Sequence, residues 1–457
     1  MEKAVGSIQQ TKRVDSDYGN GDCDLEKTVN GVETVDLHND HGGTAVKHRT
    51  GHEMEKDKEE FPEGGYGWLV LAGSFLLLST SFGYISTFGV YQKYYQQAFP
   101  DSDSSTISLI GSLLAGISYL GTFPCVYLKS KLGSRVTIAI GGALSVLSLM
   151  LTSLGHKVWH FYLTQGVLYG LGGGLCMISG LTIPPEWFKV RRAVAGGIVA
   201  AGSSLGGVVW PIAFQRLVDE VGFPWANRIM GFCMLPIFIF SALVTKSRLP
   251  ASKRVIPNFG VLKDWKFSWF AFWYALVFFG YLPVMFYLPL YCQKLNLDQT
   301  VSQYAIVVLN GSSLIGRIVP GFIADKIGRV NVLAPSLIIA GILQFALWLP
   351  ARGEVPIWLF AVLWGIASGC FVSMAPAAIG QLFGVQDNPS RITFIMISAV
   401  PAGLAASTIS GSFLPIDGIG IEGFDKLICF SAAMMTGGGL GVVAFRCFFT
   451  RKLFQFI

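Results

Sequence analysis

Long apolar runs alternate with short polar stretches from about residue 66 to residue 446. Each run has about twenty residues or more, which is the length that a helix needs to cross the ~30 Å hydrocarbon core of a bilayer. A soluble domain does not repeat such runs twelve times. The pattern predicts an all-α membrane protein with twelve transmembrane helices, at residues 66–93, 105–128, 134–154, 158–183, 193–214, 226–246, 267–291, 301–323, 329–349, 355–380, 391–413 and 424–446.

The longest polar connection between predicted spans covers residues 247–266 and divides the spans into two sets of six. We therefore expect one six-helix bundle at 65–246 and a second at 267–447, packed around a site near the middle of the membrane. Residues 1–64 lack apolar periodicity and are predicted to form a disordered tail. Residues 448–457 would form a second, short tail.

The N-terminal tail and the rest of the chain have opposite net charges. Residues 1–64 hold 8 Lys and Arg against 15 Asp and Glu, whereas the rest of the chain holds 26 against 13. The basic surplus falls in alternate loops, and acidic residues occupy the opposite loops, as the positive-inside rule describes. This pattern places the linker and both termini in the cytoplasm and argues against nucleic acid as a partner. The plasma membrane is the default location of such a multi-pass protein.

The predicted spans contain few groups that could perform catalysis. They hold no paired acids, histidine cluster or activated nucleophile, so we expect no enzyme and no cofactor. The eight cysteines stand singly, without the spacing of metal ligands, and no metal site is expected. The chain also lacks the Gly-rich loop with Lys that ATP-driven pumps use for phosphate. Its 54 glycines predict helices that approach one another closely.

One loop motif follows the eighth predicted span and reads Gly321-Phe-Ile-Ala-Asp325-Lys-Ile-Gly328-Arg329. An Asp here can cap a helix and pair with the Arg across a tight Gly turn, which predicts a gating role for Gly321, Asp325 and Arg329. The corresponding loop of the first half has Ser130 where the Asp is expected, so a latch there needs another acid. Ordinary basic loops that only set the topology are the alternative.

Two more motifs lie at span entrances. Residues 63–68 read Glu-Gly-Gly-Tyr-Gly-Trp, and Trp187-Phe-Lys189-Val-Arg191-Arg192 precedes spaced glycines in the fifth span. The loop motif resembles that of major facilitator transporters, and these two motifs resemble the monocarboxylate transporter family of that superfamily, especially its fungal-type members. The resemblance implies a major facilitator fold and transport of a small or mid-sized organic anion, such as a monocarboxylate, a vitamin or a secondary metabolite. Lys189, Arg191 and Arg192 would serve gating or architecture.

Arg317 lies deep in the eighth predicted span, where a charge is costly and should face a wet cavity and a partner. The resemblance implies that it binds the substrate carboxylate, which the planar guanidinium can hold with two hydrogen bonds. Asn310 and Ser313 on the same span, with Tyr84 and Ser86 on the first, complete the predicted substrate-binding set. A side chain that only reaches toward the nearby loop is the alternative for Arg317.

Two positions depart from the animal carriers of the family. Ser86 stands where those carriers have a Lys, and Ser313 stands where they have an acid. Glu186 and Lys93 lie near span ends, where reaching to the interface explains them. Proton symport through other groups, transport without protons and a different substrate are therefore all open.

The sequence thus predicts a secondary active transporter that works by alternating access. The alternative is a membrane sensor or receptor that keeps the transporter fold without transport. The predicted partners are a small-molecule organic substrate, protons as a candidate second substrate, and the surrounding lipid bilayer. No accessory subunit is identified by the sequence.

Overall fold

The computed structural model describes residues 64–188, 191–248, 258–383, 388–414 and 422–449. Within those ranges every regular element is helical and no strand occurs. Short π-helical stretches occur at Tyr162–Tyr169 and Gln344–Trp348. The α-helices are α1 (Tyr66–Ala98), α2 (Ser104–Leu120), α3 (Thr122–Leu132), α4 (Ser134–Thr152), α5 (Val158–Phe161), α6 (Gly170–Thr182), α7 (Arg192–Val244), α8 (Trp265–Lys294), α9 (Gln299–Ile327), α10 (Arg329–Leu343), α11 (Glu354–Phe383), α12 (Asn388–Ser398), α13 (Val400–Ser412) and α14 (Phe424–Phe449).

Twelve spans follow from these helices. Ten helical segments of the described residues are long and apolar enough to cross a membrane, and the bent pair α2–α3 forms one more. One of the ten is α7, whose 53 residues would extend about 80 Å, more than twice the thickness of the hydrocarbon core. Gly222 has a non-helical backbone and divides α7 into two spans. The count of twelve agrees with the hydrophobic pattern.

The break inside α7 depends on Gly222, whose φ is 77° and ψ is 165°. A positive φ is strained for residues with a Cβ, so glycine suits this position. Pro224 follows near the start of the next helical segment, where a missing backbone N–H costs nothing. These two residues let the chain leave one span and enter the next.

Glycines, which have no side chain, allow α1 and α7 to pack closely. A Cβ on Gly202 would collide with the main-chain oxygen of Phe75, and a Cβ on Gly206 with that of Ser79. Gly196, on the same helix, has open space around it. Since lipid provides no hydrophobic force between helices, close contact of backbones is a main source of attraction there. Gly202 and Gly206, which belong to the spaced glycines of the fifth predicted span, therefore have a packing role.

The helices α1 and α8 lie in the interior of the bundle. In each of these two helices, 78% of the most apolar 18-residue stretch is buried, whereas the corresponding fraction for α7 is 33%. Large apolar side chains of α7, such as Phe232 and Leu243, are exposed on the outside, as expected of a surface that faces lipid. Polar groups on the buried helices are consequently the ones that can form an internal site.

The predicted linker at 247–266 falls between α7, which ends at Val244, and α8, which begins at Trp265. The division into two six-helix bundles at this point stays a prediction. The predicted tails, 1–64 and 448–457, lie outside the described residues except for Gly64, Phe448 and Phe449.

Candidate functional site

Arg317 on α9 is 1% exposed, and its charged guanidinium donates hydrogen bonds to neutral groups. Its Nη1 donates to the carbonyl oxygen of Ala200 at 2.6 Å and to the hydroxyl of Ser203, both on α7. The Tyr281 hydroxyl on α8 also interacts electrostatically with the guanidinium. In the described part of the chain no carboxylate forms an ion pair with Arg317. Such an uncompensated buried charge is costly, which makes Arg317 the leading candidate for a functional site.

The position of Arg317 is internal. It lies ten residues before the end of α9 at Ile327, or about 15 Å along the helix. Its guanidinium points to α7 across the bundle, where Ala200 and Ser203 hold it. The side chain therefore joins two helices within the membrane domain.

Three buried polar atoms without hydrogen-bond partners lie along one face of α9. They are Asn310 Oδ1, Ser313 Oγ and Arg317 Nε. Spacings of three and four residues place them on the same side of the helix. Leaving one such atom unpaired costs about 1–3 kcal/mol. The structure thus brings together the three residues that the sequence predicts on this span, with free hydrogen-bonding capacity.

Aromatic rings of α8 and α11 form a wall beside Arg317. The Tyr274, Phe278 and Phe371 rings are mutually 5.1 Å apart between centroids. Tyr281, which reaches the guanidinium, has its ring centroid 5.5 Å from that of Trp364. The indole N–H of Trp364 is buried and unpartnered. Rings at these distances and angles pack edge to face or tilted against one another.

Tyr119 of α2 completes this wall from another helix. Its ring centroid lies 5.2 Å from that of Phe278. Its hydroxyl is buried without a partner and interacts electrostatically with the hydroxyls of Tyr274 and Tyr281. The sequence analysis missed Tyr119, as well as Ser203 and Trp364. In the sequence, these residues are distinguished only by a polar group within an apolar run, and many packing residues share this feature.

Tyr84 and Ser86, the predicted binding residues of α1, have other partners. The Tyr84 hydroxyl accepts a hydrogen bond of 2.9 Å from Gln165 Nε2, and its ring stacks on Tyr169 at 4.0 Å. Gln165 also accepts a 2.7 Å bond from Tyr95. The Ser86 hydroxyl donates to the carbonyl oxygen of Phe82 on its own helix at 3.3 Å. Neither residue has a hydrogen bond to α9 among the described contacts.

The end of the bundle at which α3 and α9 finish is here named the basic face, after Lys129, Arg191 and Arg329. A cleft of about 620 Å³, including its open mouth, enters the bundle from this face. Pro184, Gly196, Ala200 and Ser373 are among its lining residues. Because the Ala200 carbonyl also accepts from Arg317, the cleft reaches the helix turn that holds the guanidinium.

The predicted gating motif lies at the α9–α10 connection on the basic face. Gly328 has a φ of 95°, which the tight turn requires, and Gly321 is buried. Arg329 Nη1 donates to the carbonyl oxygen of Ala377 on α11 at 2.8 Å. The side chain of Asp325 lies outside the described residues, so its pairing with Arg329 stays a prediction.

Glu186 supplies the acid that the first-half loop lacks at Ser130. Its carboxylate lies 3.5 Å from Lys129 Nζ at the end of α3. The other oxygen accepts from the Ser247 hydroxyl at 2.6 Å and from the Arg248 N–H at 2.9 Å. Glu186 therefore ties three segments together, which differs from the simple interface position that the sequence suggested.

The basic residues that precede α7 are only partly described. Lys189 lies outside the described residues, as does the side chain of Arg192. Arg191 is exposed. Their gating role stays a prediction.

A bundle of membrane-spanning helices, with a buried arginine that forms no ion pair among the described residues and a cleft that reaches the helix turn holding it, is the architecture of a polytopic carrier of small molecules. Residues 65–408 match the family model of the Major Facilitator Superfamily. The chain belongs to this superfamily.

Relatives and solved structures agree with this assignment. The chain is 37% identical over 368 residues to "MFS-type transporter 1" of Ophiocordyceps sp., covering 79% of this chain and 82% of the relative. It is 37% identical to the "Aspyridones efflux protein apdF" of Emericella nidulans, covering 84% and 78%. It is 35% identical to the "Agnestins efflux protein AgnL12" of Paecilomyces divaricatus, covering 79% and 84%.

Among solved structures, the fold is similar to an outward-facing bacterial homologue of the iron transporter ferroportin. The TM-score is 0.64, at 15% identity, over 84% of this chain and all of that chain. At this identity the likeness concerns the fold alone.

Proposed function

We propose that this protein exports an acidic secondary metabolite across a cellular membrane by alternating access. Two relatives that each cover most of the chain are named as efflux proteins for specific metabolites. The basic face would lie in the cytoplasm by the positive-inside rule. The cleft on that face would then admit the substrate from inside the cell.

The observation that carries the proposal is the charge of Arg317. A carboxylate or another delocalised anion would neutralise the guanidinium and occupy its free Nε, while Asn310 and Ser313 offer further polar contacts. Charge-assisted hydrogen bonds of this kind are roughly twice as strong as neutral ones. An acidic substrate therefore fits this site better than a neutral or cationic one.

The aromatic wall supports a flat, conjugated substrate. Tyr274, Phe278 and Phe371 present rings. The hydroxyl of Tyr281 interacts with the guanidinium, and the hydroxyl of Tyr119 interacts in turn with that of Tyr281. Rings recognise the face of a conjugated acid, and hydroxyls donate to its oxygens. The preferred substrate is thus a mid-sized acid with an extended planar part.

Arg317 also offers a means of linking binding to movement. Its contacts with Ala200 and Ser203 connect α9 to α7 at the inner end of the cleft. A substrate acid that takes over the guanidinium would weaken this connection, so that the two helices could separate. The binding energy would favour one conformation over the other, as alternating access requires.

We infer that the protein itself carries no proton with the substrate. Between their end turns, the described spans contain no Asp, Glu or His. Export would then follow the concentration gradient that synthesis of the metabolite creates. The symport that is typical of lactate carriers would be absent.

The test is flux through the full-length chain in phosphatidylcholine vesicles, with 2-naphthoate as the probe. Wild type should move 2-naphthoate, Arg317→Gln should abolish the movement, and Arg317→Lys should restore only part of it, since Lys lacks the planar fork. Lys426→Gln, which removes an exposed charge from α14, is the matched control. Flux through Arg317→Gln equal to wild type would refute the proposed site.

The same vesicles test energy coupling. The initial rates of flux are first corrected for the uncharged acid that crosses lipid unaided. At constant total naphthoate concentration, the corrected rates should not change when a pH gradient is imposed. Accumulation driven by the gradient would contradict transport without protons. Saturable binding of 2-naphthoate without any flux would indicate the sensor alternative.

A further inference from the structure

The end of the bundle opposite the basic face, at which α1 and α8 finish and α2 begins, is here named the far end. Hydrogen bonds connect four helices there. Gln92 Nε2 on α1 donates to the Ser108 hydroxyl on α2 at 3.1 Å, and the hydroxyls of Ser108 and Tyr287 lie 2.8 Å apart. The Tyr287 hydroxyl on α8 donates in turn to the main-chain oxygen of Ser407 on α13 at 2.8 Å. These four residues, here named the hydroxyl chain, lie within about 6–11 Å of the helix ends.

The direction of the central hydrogen bond follows from the number of hydrogens. A tyrosine hydroxyl carries one hydrogen, and that of Tyr287 goes to Ser407. Ser108 is therefore the donor toward Tyr287. This bond joins a helix that precedes the 247–266 linker to a helix that follows it. Loss of the Tyr287 hydroxyl would remove this bond and the bond to Ser407 together, while the ring stays in place.

The helices α2 and α13 meet again one turn deeper in the bundle. The Ser112 hydroxyl lies 2.6 Å from the hydroxyl of Ser407 and 3.1 Å from Thr408 Oγ1. A Cβ on Gly403 would lie 2.7 Å from Gly116 Cα, so the two backbones are in close contact. Hydrogen bonds and close packing thus close the seam between α2 and α13 over this length.

The basic face is held together in a different way. An open cleft enters the bundle there, and the Glu186 carboxylate ties its segments together through the charge of Lys129. The hydroxyl chain contains an amide, two hydroxyls and a carbonyl, and none of these groups is charged. A hydrogen bond between neutral groups is lost when donor and acceptor separate beyond about 3.5 Å. A small widening of the seam would therefore break the whole connection.

We propose that the hydroxyl chain keeps the far end closed in the described conformation, and that its loss lets α2 separate from α8 and α13. Each of its four side chains is buried, and its central bond connects the parts of the chain on either side of the linker. Opening of the far end would accompany closure of the cleft on the basic face, because a carrier exposes its interior to one side at a time. Release of an exported substrate through this opening rests on the proposed function, whereas the closing role of the hydroxyl chain does not.

Two cysteine reporters test this role in the full-length chain in detergent, with N-ethylmaleimide as the label. Ala115 is buried and follows Ser112 by one turn, and a Cβ on Gly403 would lie 3.2 Å from its carbonyl carbon. Ala115→Cys therefore reports on the seam beneath the hydroxyl chain. Ser373→Cys reports on the cleft of the basic face. Each reporter is placed in a background in which Cys23 and the exposed native cysteines are replaced by serine.

Tyr287→Phe should raise the labelling rate of Ala115→Cys about two- to tenfold, the range that the net value of one hydrogen bond gives. It should lower the labelling rate of Ser373→Cys at the same time. Ser108→Ala should have the same effects. Combining Tyr287→Phe with Ser108→Ala should add little to either single change, because both remove the same bond.

Tyr291→Phe is the matched control for Tyr287→Phe. Tyr291 lies one turn later on α8 and is also buried, but its hydroxyl contacts Ala351 and Arg352, which both follow the linker. Neither reporter should change its labelling rate in this variant.

An unchanged rate at Ala115→Cys in both Tyr287→Phe and Ser108→Ala would overturn the proposal. Faster labelling of both reporters would overturn it too, since that result means general loosening of the bundle. The labelling needs no substrate. Absence of 2-naphthoate flux in wild type, together with the expected labelling, would therefore refute only the proposed function.

Discussion

The Arg317 guanidinium on α9 donates a 2.6 Å hydrogen bond to the main-chain carbonyl of Ala200 on α7, 117 positions away in the chain. The same Nη1 reaches Ser203, one turn further along α7. One charged group is therefore both the best candidate to bind an acid and a direct link between two helices. In the proposed function, the substrate and α7 would compete for its hydrogen bonds.

Replacing Ser203 by Ala should strengthen substrate binding. The change removes one of the contacts that the substrate must displace, and a single hydrogen bond has a net value of about 0.5–1.5 kcal/mol. The KM for 2-naphthoate should fall roughly two- to tenfold in the vesicle assay. Ser204→Ala is the matched control, because the Ser204 hydroxyl is buried without a partner. A rise in KM would instead mean that Ser203 binds the substrate.

The ring and the hydroxyl of Tyr119 should make separate contributions to substrate binding. Tyr119→Phe keeps the ring contact with Phe278 and removes the hydroxyl, so binding of every acid should weaken by roughly tenfold or less. Tyr119→Leu also removes the ring face, which should weaken 2-naphthoate further.

The comparison acid for Tyr119 is decahydro-2-naphthoate, which has the same carbon skeleton and carboxylate but no aromatic face. Wild type should bind 2-naphthoate more tightly, and Tyr119→Leu should reduce this preference. Competition in the flux assay measures both. Equal affinity of wild type for the two acids would exclude stacking as the basis of selectivity.

Gly202→Ala should prevent normal assembly of α1 and α7. The added Cβ would meet the rigid main-chain oxygen of Phe75, and overpacking commonly costs about 1–3 kcal/mol or more. We expect a lower yield of monodisperse protein in detergent and a Tm several degrees lower. Gly196→Ala, on the same helix with open space around it, should behave like wild type because Ala favours helix. Equal loss in both variants would mean that helix flexibility, not packing, requires these glycines.

In Glu186→Gln, the cleft on the basic face should be open for a larger fraction of the time. The variant loses the charge that faces Lys129 and weakens the bonds from Ser247 and Arg248. A maleimide should therefore label a cysteine placed at Ser373, which lines the cleft, several times faster in a background without exposed native cysteines.

The control for Glu186 is Asp425→Asn, which breaks the ion pair with Arg352 where both side chains are largely exposed. Exposed pairs contribute little, so labelling at Ser373 should not change. An unchanged rate in Glu186→Gln as well would show that this acid only anchors its loop.

The helical membrane architecture could be predicted from the sequence because it depends on local composition. Each apolar run is a property of about twenty consecutive residues, and the lipid requires a helix wherever such a run crosses it. Even the break at Gly222 lies between two predicted spans. The spacing of Asn310, Ser313 and Arg317 likewise implies one helix face, and the structure places them there with unpartnered atoms.

The partners of these residues could not be predicted in the same way. Tyr84, expected in the binding site, hydrogen-bonds with Gln165. Glu186, expected at an interface, joins Lys129 to the end of α7. In both cases the relevant groups are more than fifty positions apart, and their meeting depends on how each helix is rotated and tilted against its neighbours.

The sequence by itself thus determined that this protein is a helical membrane protein with twelve predicted spans and one deep arginine, since hydrophobic length, loop charge and helical periodicity are local quantities. Only the tertiary structure decided that Arg317 contacts Ala200 and Ser203 and that Tyr119 joins the aromatic wall. The physical reason is that glycine contacts and proline bends set the distances between helices, and those distances depend on both partners at once.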